Sequence, residues 1–558
     1  MNKFWSVVMG IITGLIIFTV GFLGFCVSIN IHEVSFWILI AVALLLSTFV
    51  GRFAYGKKDF GNVTISKRTG SKGRKKTYTK FNFSVKPYIP GVVIVALVCI
   101  ISLFSSPIFN ATRYADVLQI TETDFASDIS ESVGTDSIAL MDTASAQMLG
   151  DREIGSLSKV VSQFNVSSDY SQIDYQGKPV KVSALEYAGF FKWINNKDNG
   201  VCGYVSVDPV TMTASYTESA GMVYVESAYF FEDAYRHIWL KYPTTMFGNV
   251  HFEIDEDGKP YYIASTYKKA VGLFNARTVD GCIILDPVSG ETQKFTLNDI
   301  PRWVDIVFYG DMLCTQYNWH GRLQNGFLNS LIGKKGCKQV TTYYSSDNAE
   351  VESEDVEPVC DYGYVSKDGD IWIYTGITSL NGDSSNIGFL LANERTGESH
   401  YFPIAGADEK SAMASAEGEV QEKGYQASFP SLINICENPT YIMVLKDSGG
   451  LVKQYAAVNV EQYNIVATAT TQAECIEKYK ALLGIDKQDN SEKRQLSIKI
   501  ADIKYIDING NTYIYLIDDE QGMYKAKASD FEHMLLLKVG DTVDITCSGT
   551  SILSCDKK

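Results

Sequence analysis

FWSVVMGIITGLIIFTVGFLGFCVSI, residues 4–29, carries no charged side chain. About 20 apolar residues in a helix cross a bilayer while satisfying their own backbone groups. The run therefore predicts a transmembrane helix. Ser35–Gly51 and Pro90–Ile108 are two more such runs. Three of them within residues 1–109 argue for membrane spans rather than core helices, with Phe36 and Trp37 suited to an interface. No small-x-small cleavage site follows the first run, which disfavours a secretory signal peptide. Phe25 precedes Cys26 where a lipoprotein signal needs a small residue, so Cys26 reads as a membrane-buried thiol.

Charge divides the chain in the same place. The 558 residues sum to −16. Residues 1–109 hold 12 Lys and Arg against Glu33 and Asp59, or +10, which leaves −26 for the remainder. Eleven of those basic residues fall in the loop 52–88. The positive-inside bias makes that loop and the N-terminus cytoplasmic, and residues 110–558 extracytoplasmic, in a multi-pass plasma-membrane protein. Lys67, Arg68, Lys72, Arg74, Lys75 and Lys76 form a membrane-surface basic cluster. It acts mainly as a topology signal and suits anionic lipid headgroups. An acidic body argues against general nucleic-acid binding.

Residues 110–138 are polar, with Thr121, Glu122, Thr123, Asp124 and Asp128, and read as a stalk. A helix is expected from Thr143 through Val161, with Leu149, Ile154, Leu157 and Val160 on one face. Beyond it, alternating apolar runs flank turns rich in Asp, Asn and Gly, which supply the positive φ of tight hairpins. Six such turns lie at 208–211, 255–258, 286–290, 368–369, 394–397 and 447–450. Their spacing is irregular, so no strict propeller or solenoid is expected. Glu232–Lys241, Ser411–Lys423 and Gln472–Leu483 read as helices between them. The predicted fold class is α+β: three N-terminal transmembrane helices, a hairpin-rich antiparallel α+β extracytoplasmic body over 139–485, and a small C-terminal β-barrel over 494–558.

The helix Ser411–Lys423 followed by Tyr425–Pro430, Tyr441–Leu445 and Val452–Val458 resembles a PepSY-type module. So does the DPVSGE turn at 286–291, which implies two or more such modules in the body. MDTASAQMLGDREIG (141–155), HFEIDEDGKPYY (251–262), LQNGFLNSL (323–331) and YTGITSLNGDSSNIGF (374–389) are similar to uncharacterised membrane-anchored envelope proteins of low-GC Gram-positive bacteria. That resemblance implies an envelope location and no activity. After a polar linker, Asp486–Lys493, five short strands with a Val-Gly-Asp entry at 539–541 resemble a small OB-type barrel. Its acids, among them Asp507, Asp518 and Asp519, disfavour single-stranded nucleic acid.

Chemistry-bearing patterns are sparse. The six His include no His-Glu-x-x-His, and the eleven Cys no Cys-x-x-Cys, so neither metal nor cofactor is expected. Cys337 and Cys360 could pair across an acidic loop. Asp255–Gly258 and Asn381–Asn386 cluster oxygens without EF-hand spacing, and turn chemistry explains them. Ser156 and Lys159 fit Ser-x-x-Lys, Ser346-Asp347-Asn348 fits Ser-Asp-Asn, and Arg395-Thr396-Gly397 nearly fits Lys-Thr-Gly, the trio of acyl-enzyme serine hydrolases. Two functions follow as expectations. One is an anchored envelope protein that binds or positions a protein, peptide or wall polymer. The alternative is a cell-surface hydrolase or transferase using Ser156 and Lys159.

Overall fold

Lys3–Phe25 (α1), Val34–Tyr55 (α2) and Ile89–Phe104 (α3) are helices. Phe4–Phe25, Val34–Tyr55 and, with the turn that leads into α3, Lys86–Phe104 are long and apolar enough to cross a membrane. α1 and α2 meet through small residues, as membrane helices do when backbone must approach backbone. Ser47 Oγ donates to the Gly10 carbonyl at 2.7 Å. The structure, a computed structural model, describes residues 3–55, 64–69, 75–80, 86–129, 140–343, 359–360, 362–380, 385–484, 494–508, 511–520, 522–529, 531–548 and 550–557. The chain forms two contact units, Met1–Tyr479 and Lys480–Lys558.

The body of the first unit is a mixed α+β assembly in which one supersecondary unit occurs four times. Each unit is a helix followed in chain order by a four-stranded antiparallel meander, to which short strands add in the first (Phe164–Val166), third (Ile120–Glu122 and Lys338–Val340) and fourth (Gln426–Ala427) units. In the first, Thr143–Gly155 (α4) precedes Ser171–Tyr175 (β1), Lys178–Tyr187 (β2), Val201–Asp208 (β3) and Thr213–Met222 (β4). In the second, Ala234–Lys241 (α5) precedes Phe247–Ile254 (β5), Pro260–Val271 (β6), Asn275–Leu285 (β7) and Thr292–Thr296 (β8). In the third, Gly310–Leu323 (α6) precedes Gly363–Lys367 (β9), Asp370–Ser379 (β10), Gly388–Asn393 (β11) and Ser399–Phe402 (β12). In the fourth, Glu409–Gly418 (α7) precedes Ser431–Ile435 (β13), Asn438–Lys446 (β14), Val452–Asn459 (β15) and Val466–Ala469 (β16).

Local chemistry repeats with the topology. Three of the helices start at an Asp whose carboxylate accepts the N–H three residues on: Asp142 from Ser145, Asp233 from Arg236 and Asp408 from Ser411. Three first hairpins turn on two residues of positive φ: Gln176-Gly177, Asp368-Gly369 and Cys436-Glu437. Each third strand ends in an Asx turn. Asp208 accepts from Val210 and Thr211, Asp286 from Val288 and Ser289, Asn393 from Arg395 and Thr396, and Asn459 from Gln462.

Neighbouring modules share cores. Tyr262 and Ala264 of β6 join the first module's Val205 and Leu185, whereas Ile263 between them packs with Leu313 and Ile373 of the third. Ile373 of β10 faces the second module, and Trp372 and Tyr374 face Leu432 and Tyr441 of the fourth. Both faces of these middle sheets are buried, which removes the polar alternation of a half-exposed strand.

Two expectations change here. The segment expected to be a stalk is built into the body through its described part. Pro107–Ala115 is a helix, Ile120–Glu122 pairs parallel with β12, and Leu118, Phe125 and Ile129 are buried. Its acids misled, because Asp128 is held by Lys367 (2.7 Å) and His400 (2.5 Å) rather than by water. Residues 130–138 lie outside the described residues. The helix expected over Thr143–Val161 breaks at its middle, where Ser156 ends α4 and Leu157 turns out (ψ 84°) before Ser158–Val161.

The α1–α2 turn docks on the body. Ile29 N–H donates to the Pro243 carbonyl (2.7 Å), Ser28 Oγ to Thr245 (2.9 Å), Asn30 Nδ2 to Thr244 (2.9 Å) and Trp239 Nε1 to Val27 (3.2 Å). In the second unit, Arg494–Ile508 (β17), Asn511–Asp518 (β18), Met523–Lys527 (β19), Thr542–Ser548 (β20) and Ser551–Lys557 (β21) pair in the order β17-β18-β19-β21-β20, with β20 returning to β17. The two strands expected at Leu496–Ile500 and Ile503–Ile508 are one strand, shifted in register between Ile500 and Asp502, and Ser551–Lys557 is a strand beyond the five expected, the last of which was Thr542–Cys547. The linker Asp486–Lys493 lies outside the described residues.

Candidate functional site

The serine-hydrolase trio does not assemble. Ser156 is exposed at the C-terminal end of α4, and its Oγ donates to the Glu153 carbonyl at 2.8 Å, an ordinary helix-end bond. Lys159 belongs to the separate turn Ser158–Val161, and its side chain lies outside the described residues, as do Ser346–Asn348. Arg395 is committed to the Asp370 carboxylate and donates to the Gly369 carbonyl at 3.2 Å, so it does not offer a free cation to a substrate carboxylate. In the basic cluster, Lys67 and Arg68 lie on Thr64–Thr69, opposite Thr77 and Lys76, and Lys75 and Lys76 on Lys75–Lys80. Lys72 and Arg74 lie outside the described residues. The Asp255 turn is self-satisfied, with Oδ1 accepting from Asp257 and Lys259. Residues 381–384 lie outside the described residues. Among the described residues no group of three or more His, Cys, Asp or Glu could hold a metal. Cys337 is a buried free thiol beside the Arg322 carbonyl (3.5 Å), not half of a bridge.

Two polar assemblies appear that the sequence did not single out. The first is a buried seam where modules one, two and three meet. Glu253 on β5 is fully buried and accepts from the backbone of Asp305 and Ile306 (both 3.0 Å) and from His251 Nε2 (2.7 Å). Asp305 accepts from Asp174 N–H at 2.7 Å and faces Arg395 at 3.9 Å. Burial, reinforced by Glu253, pushes the Asp305 and Glu394 carboxyls well above the usual carboxylate range. Lys181, with its ammonium 5.1 Å from the Tyr364 ring centre, is pushed down to about 8 by burial, against the pull of Asp142 and Glu394. Perturbed groups of this kind often mark active sites. Here Glu253 and Asp305 are held by backbone N–H groups and by His251, which describes an internal tie between sheets, although Glu394 Oε2 and Arg395 Nε are buried without a hydrogen-bond partner among the described residues.

The second assembly is open. A cleft of about 440 Å³ lies where the first module's sheet meets the β5–β6 turn. Tyr175 and Tyr204 give it aromatic surface, and Ser206, Thr213, Ser215 and Thr217 give it hydroxyls. Asp208, Glu218 and Asp257 give it carboxylates, and no Lys or Arg lines it. Gln176 fixes one wall by donating to Glu256 Oε2 and to the Glu256 carbonyl (both 3.1 Å). Tyr204 OH donates to the Gly258 carbonyl at 2.9 Å. Gly258 sits at φ +78°, where a Cβ would stand 3.2 Å from that hydroxyl, so a glycine suits both the turn and the approach. Sequence did hold a sign of this surface: Thr213, Ser215 and Thr217 alternate along β4, as one polar face of a strand must. A cleft of hydroxyls, phenols and carboxylates can hydrogen-bond a neutral or cationic chain and repels an anionic one.

No family profile matches the chain, and no curated protein matches it. Among solved structures, the levansucrase of Bacillus subtilis aligns over 77% of this chain and 97% of its own at 7% identity, with a TM-score of 0.16. A mutant levansucrase of B. megaterium aligns over 78% of this chain and 97% of its own at 8% identity, with a TM-score of 0.18. Scores this low establish neither a shared fold nor a shared activity.

Proposed function

We propose that this is a membrane-anchored cell-envelope protein whose extracytoplasmic body binds or positions a protein, peptide or wall-polymer partner. The observation that carries the reading is the open cleft between the first two modules, rich in hydroxyls and carboxylates and free of basic side chains. It suits the sugars of a wall polymer or a basic peptide segment. The topology reading puts the 52–88 loop and the N-terminus in the cytoplasm. It gains support from the docking of the 26–33 turn on the body, which puts that turn at the body's end of the helices. The basic loop then falls at the other end, where anionic headgroups would meet it. The helix-plus-meander units are read as PepSY-like, which the repeated Asx turns favour, and the β17–β21 unit as OB-like.

The test uses full-length protein in nanodiscs, mixed with purified peptidoglycan and, separately, with a lysine-rich peptide. Binding to either is expected, and Glu218→Gln with Asp257→Asn should weaken the peptide while Tyr175→Ala weakens both. Binding to neither, or binding that all three changes leave intact, would sink the reading. Protease shaving of intact cells, with tags in the 52–88 loop and at the C-terminus, should remove only the C-terminal tag.

A further inference from the structure

We infer that the body makes a second membrane contact of its own: an exposed aromatic patch formed by Phe190, Phe191, Ile194, Tyr229, Phe230 and Phe231 enters the headgroup–acyl boundary of the bilayer that α1–α3 cross. The inference rests on reading those helices as membrane spans.

The rings of Phe190, Phe191, Tyr229 and Phe230 are contiguous through Trp193, and Ile194 and Phe231 are their exposed chain neighbours. Phe190 meets Tyr229 with ring centres 4.9 Å apart and Phe191 at 5.8 Å. Phe230 reaches it through Trp193, also at 5.8 Å. Phe191, Phe230 and Phe231 are 78%, 63% and 68% exposed, an unusual outlay of aromatic surface with no protein against it. The buried Trp193 ties the two contributing segments together by donating to Glu232 at 2.8 Å. That bond engages one adjoining acid, and Asp233 is engaged by its own helix. Lys192, on the same short helix Phe190–Asn196, supplies a cation of the sign that lipid phosphate attracts.

Its position follows from chain geometry. Phe230 and Phe231 precede Asp233 by three and two residues, so their backbones lie within about 11 Å of it at the maximal rise per residue. Asp233 starts α5, and α5 grips the end of α1. Arg236 Nη1 donates to the Leu23 carbonyl at 2.6 Å, and the Trp239 ring lies 4.6 Å from that of Phe22. Leu23 belongs to the last turn of a span. The zone between hydrocarbon and water is roughly 5–8 Å deep on each side, and the tether from Leu23 through Arg236 and Asp233 keeps Phe230 and Phe231 near this end of α1, which is where we place the patch. Aromatic rings are the side chains that favour that zone. The attachment of α5 to the end of α1, where Phe25 is also exposed, points to lipid rather than to a protein as the occupant.

The test places a reporter in the patch. Full-length protein carrying Phe231→Trp, and separately Phe191→Trp, is reconstituted in phosphatidylcholine–phosphatidylglycerol vesicles, with and without lipid brominated near the headgroup end of the acyl chains. Native Trp5 and Trp37 report whether the helices have inserted. With the parent quenched by brominated lipid, the added emission of each variant should also be quenched by it and be spared by aqueous iodide. Added emission quenched by iodide alone would overturn the inference, as would emission reached by neither quencher, which means that protein covers the patch. A parent untouched by brominated lipid would refute the membrane reading itself, and the inference with it.

Discussion

Glu409 offers a quantitative test of the packing between the third and fourth modules. Its carboxyl is buried at the start of α7. It accepts from Gly376 N–H at 2.7 Å, and its other oxygen lies 3.5 Å from the Asn386 side-chain amide. Asn386 Oδ1 is buried and has no hydrogen-bond partner. Burial raises the Glu409 pKa from 4.5 to about 7. Because the folded value lies above the unfolded one, its contribution is fully present below pH 4.5 and is lost as pH rises through about 7. At about 1.36 kcal/mol per pK unit, the loss across that window is about 3 kcal/mol. Glu409→Gln fixes the neutral form. Its oxygen keeps the Gly376 bond, and its amide can donate to a turned Asn386. The variant should match the wild type near pH 4.5 and exceed it by up to about 3 kcal/mol at pH 8. For the unit Met1–Tyr479, at roughly 2.1 cal/mol/K per residue, that is a Tm gain of about 3 °C. Thermal unfolding of both proteins in detergent from pH 4 to 8 measures it. A Tm difference that does not change with pH, or a variant less stable at pH 8, would refute the argument.

Gly376→Ala would set a Cβ 2.3 Å from Asn386 Nδ2 and 2.7 Å from Glu409 Oε1, and overpacking of this kind should cost about 1–3 kcal/mol, read as a lower Tm. Trp239→Ala removes a fully buried ring and its bond to Val27; the cost should be about 3–5 kcal/mol, with faster hydrogen exchange in peptides covering 26–33 and 234–245. Lys181→Met should raise Tm at pH 7, and the advantage should shrink as pH rises above about 8, because the folded pKa lies below the unfolded one. A double-mutant cycle on Asp142 and Lys446, which pair across the first and fourth modules, should give a coupling above the 0.2–1 kcal/mol or so of an exposed pair.

What could be read from sequence was local. Three apolar runs gave three helices, and all six Asp/Asn/Gly turns join paired strands, because positive-φ demand is met within a few residues. The fourfold repeat escaped because its members share conformation more than residues. Cys436-Glu437 takes the positive φ that Gln176-Gly177 takes, with no glycine to announce it. The second module instead turns through five residues, from Ile254 to Pro260. α6 was missed because Met312, Leu313, Cys314, Gln316 and Tyr317 are all buried, so no apolar stripe stands against a polar one. The stalk was misread because Asp128 looks solvated until Lys367 and His400, more than 230 residues on, are seen beside it. The Glu253–Asp305–Arg395 seam has no signal within any one segment, since a strand, a loop and a hairpin turn far apart in sequence supply one residue each.

The hydrogen bonds that hold the 26–33 turn to residues 243–245 and 273 set how far this protein can reach. A domain on a loose leash samples a hemisphere above its anchor and meets ligands in three dimensions. With α1–α3 crossing a membrane as proposed, a body latched onto its own helix ends stays at one height and travels only as the helices drift sideways. On the proposed reading, whatever the cleft engages must come down to that layer or already lie within it. Encounter is then a two-dimensional search paced by lateral diffusion.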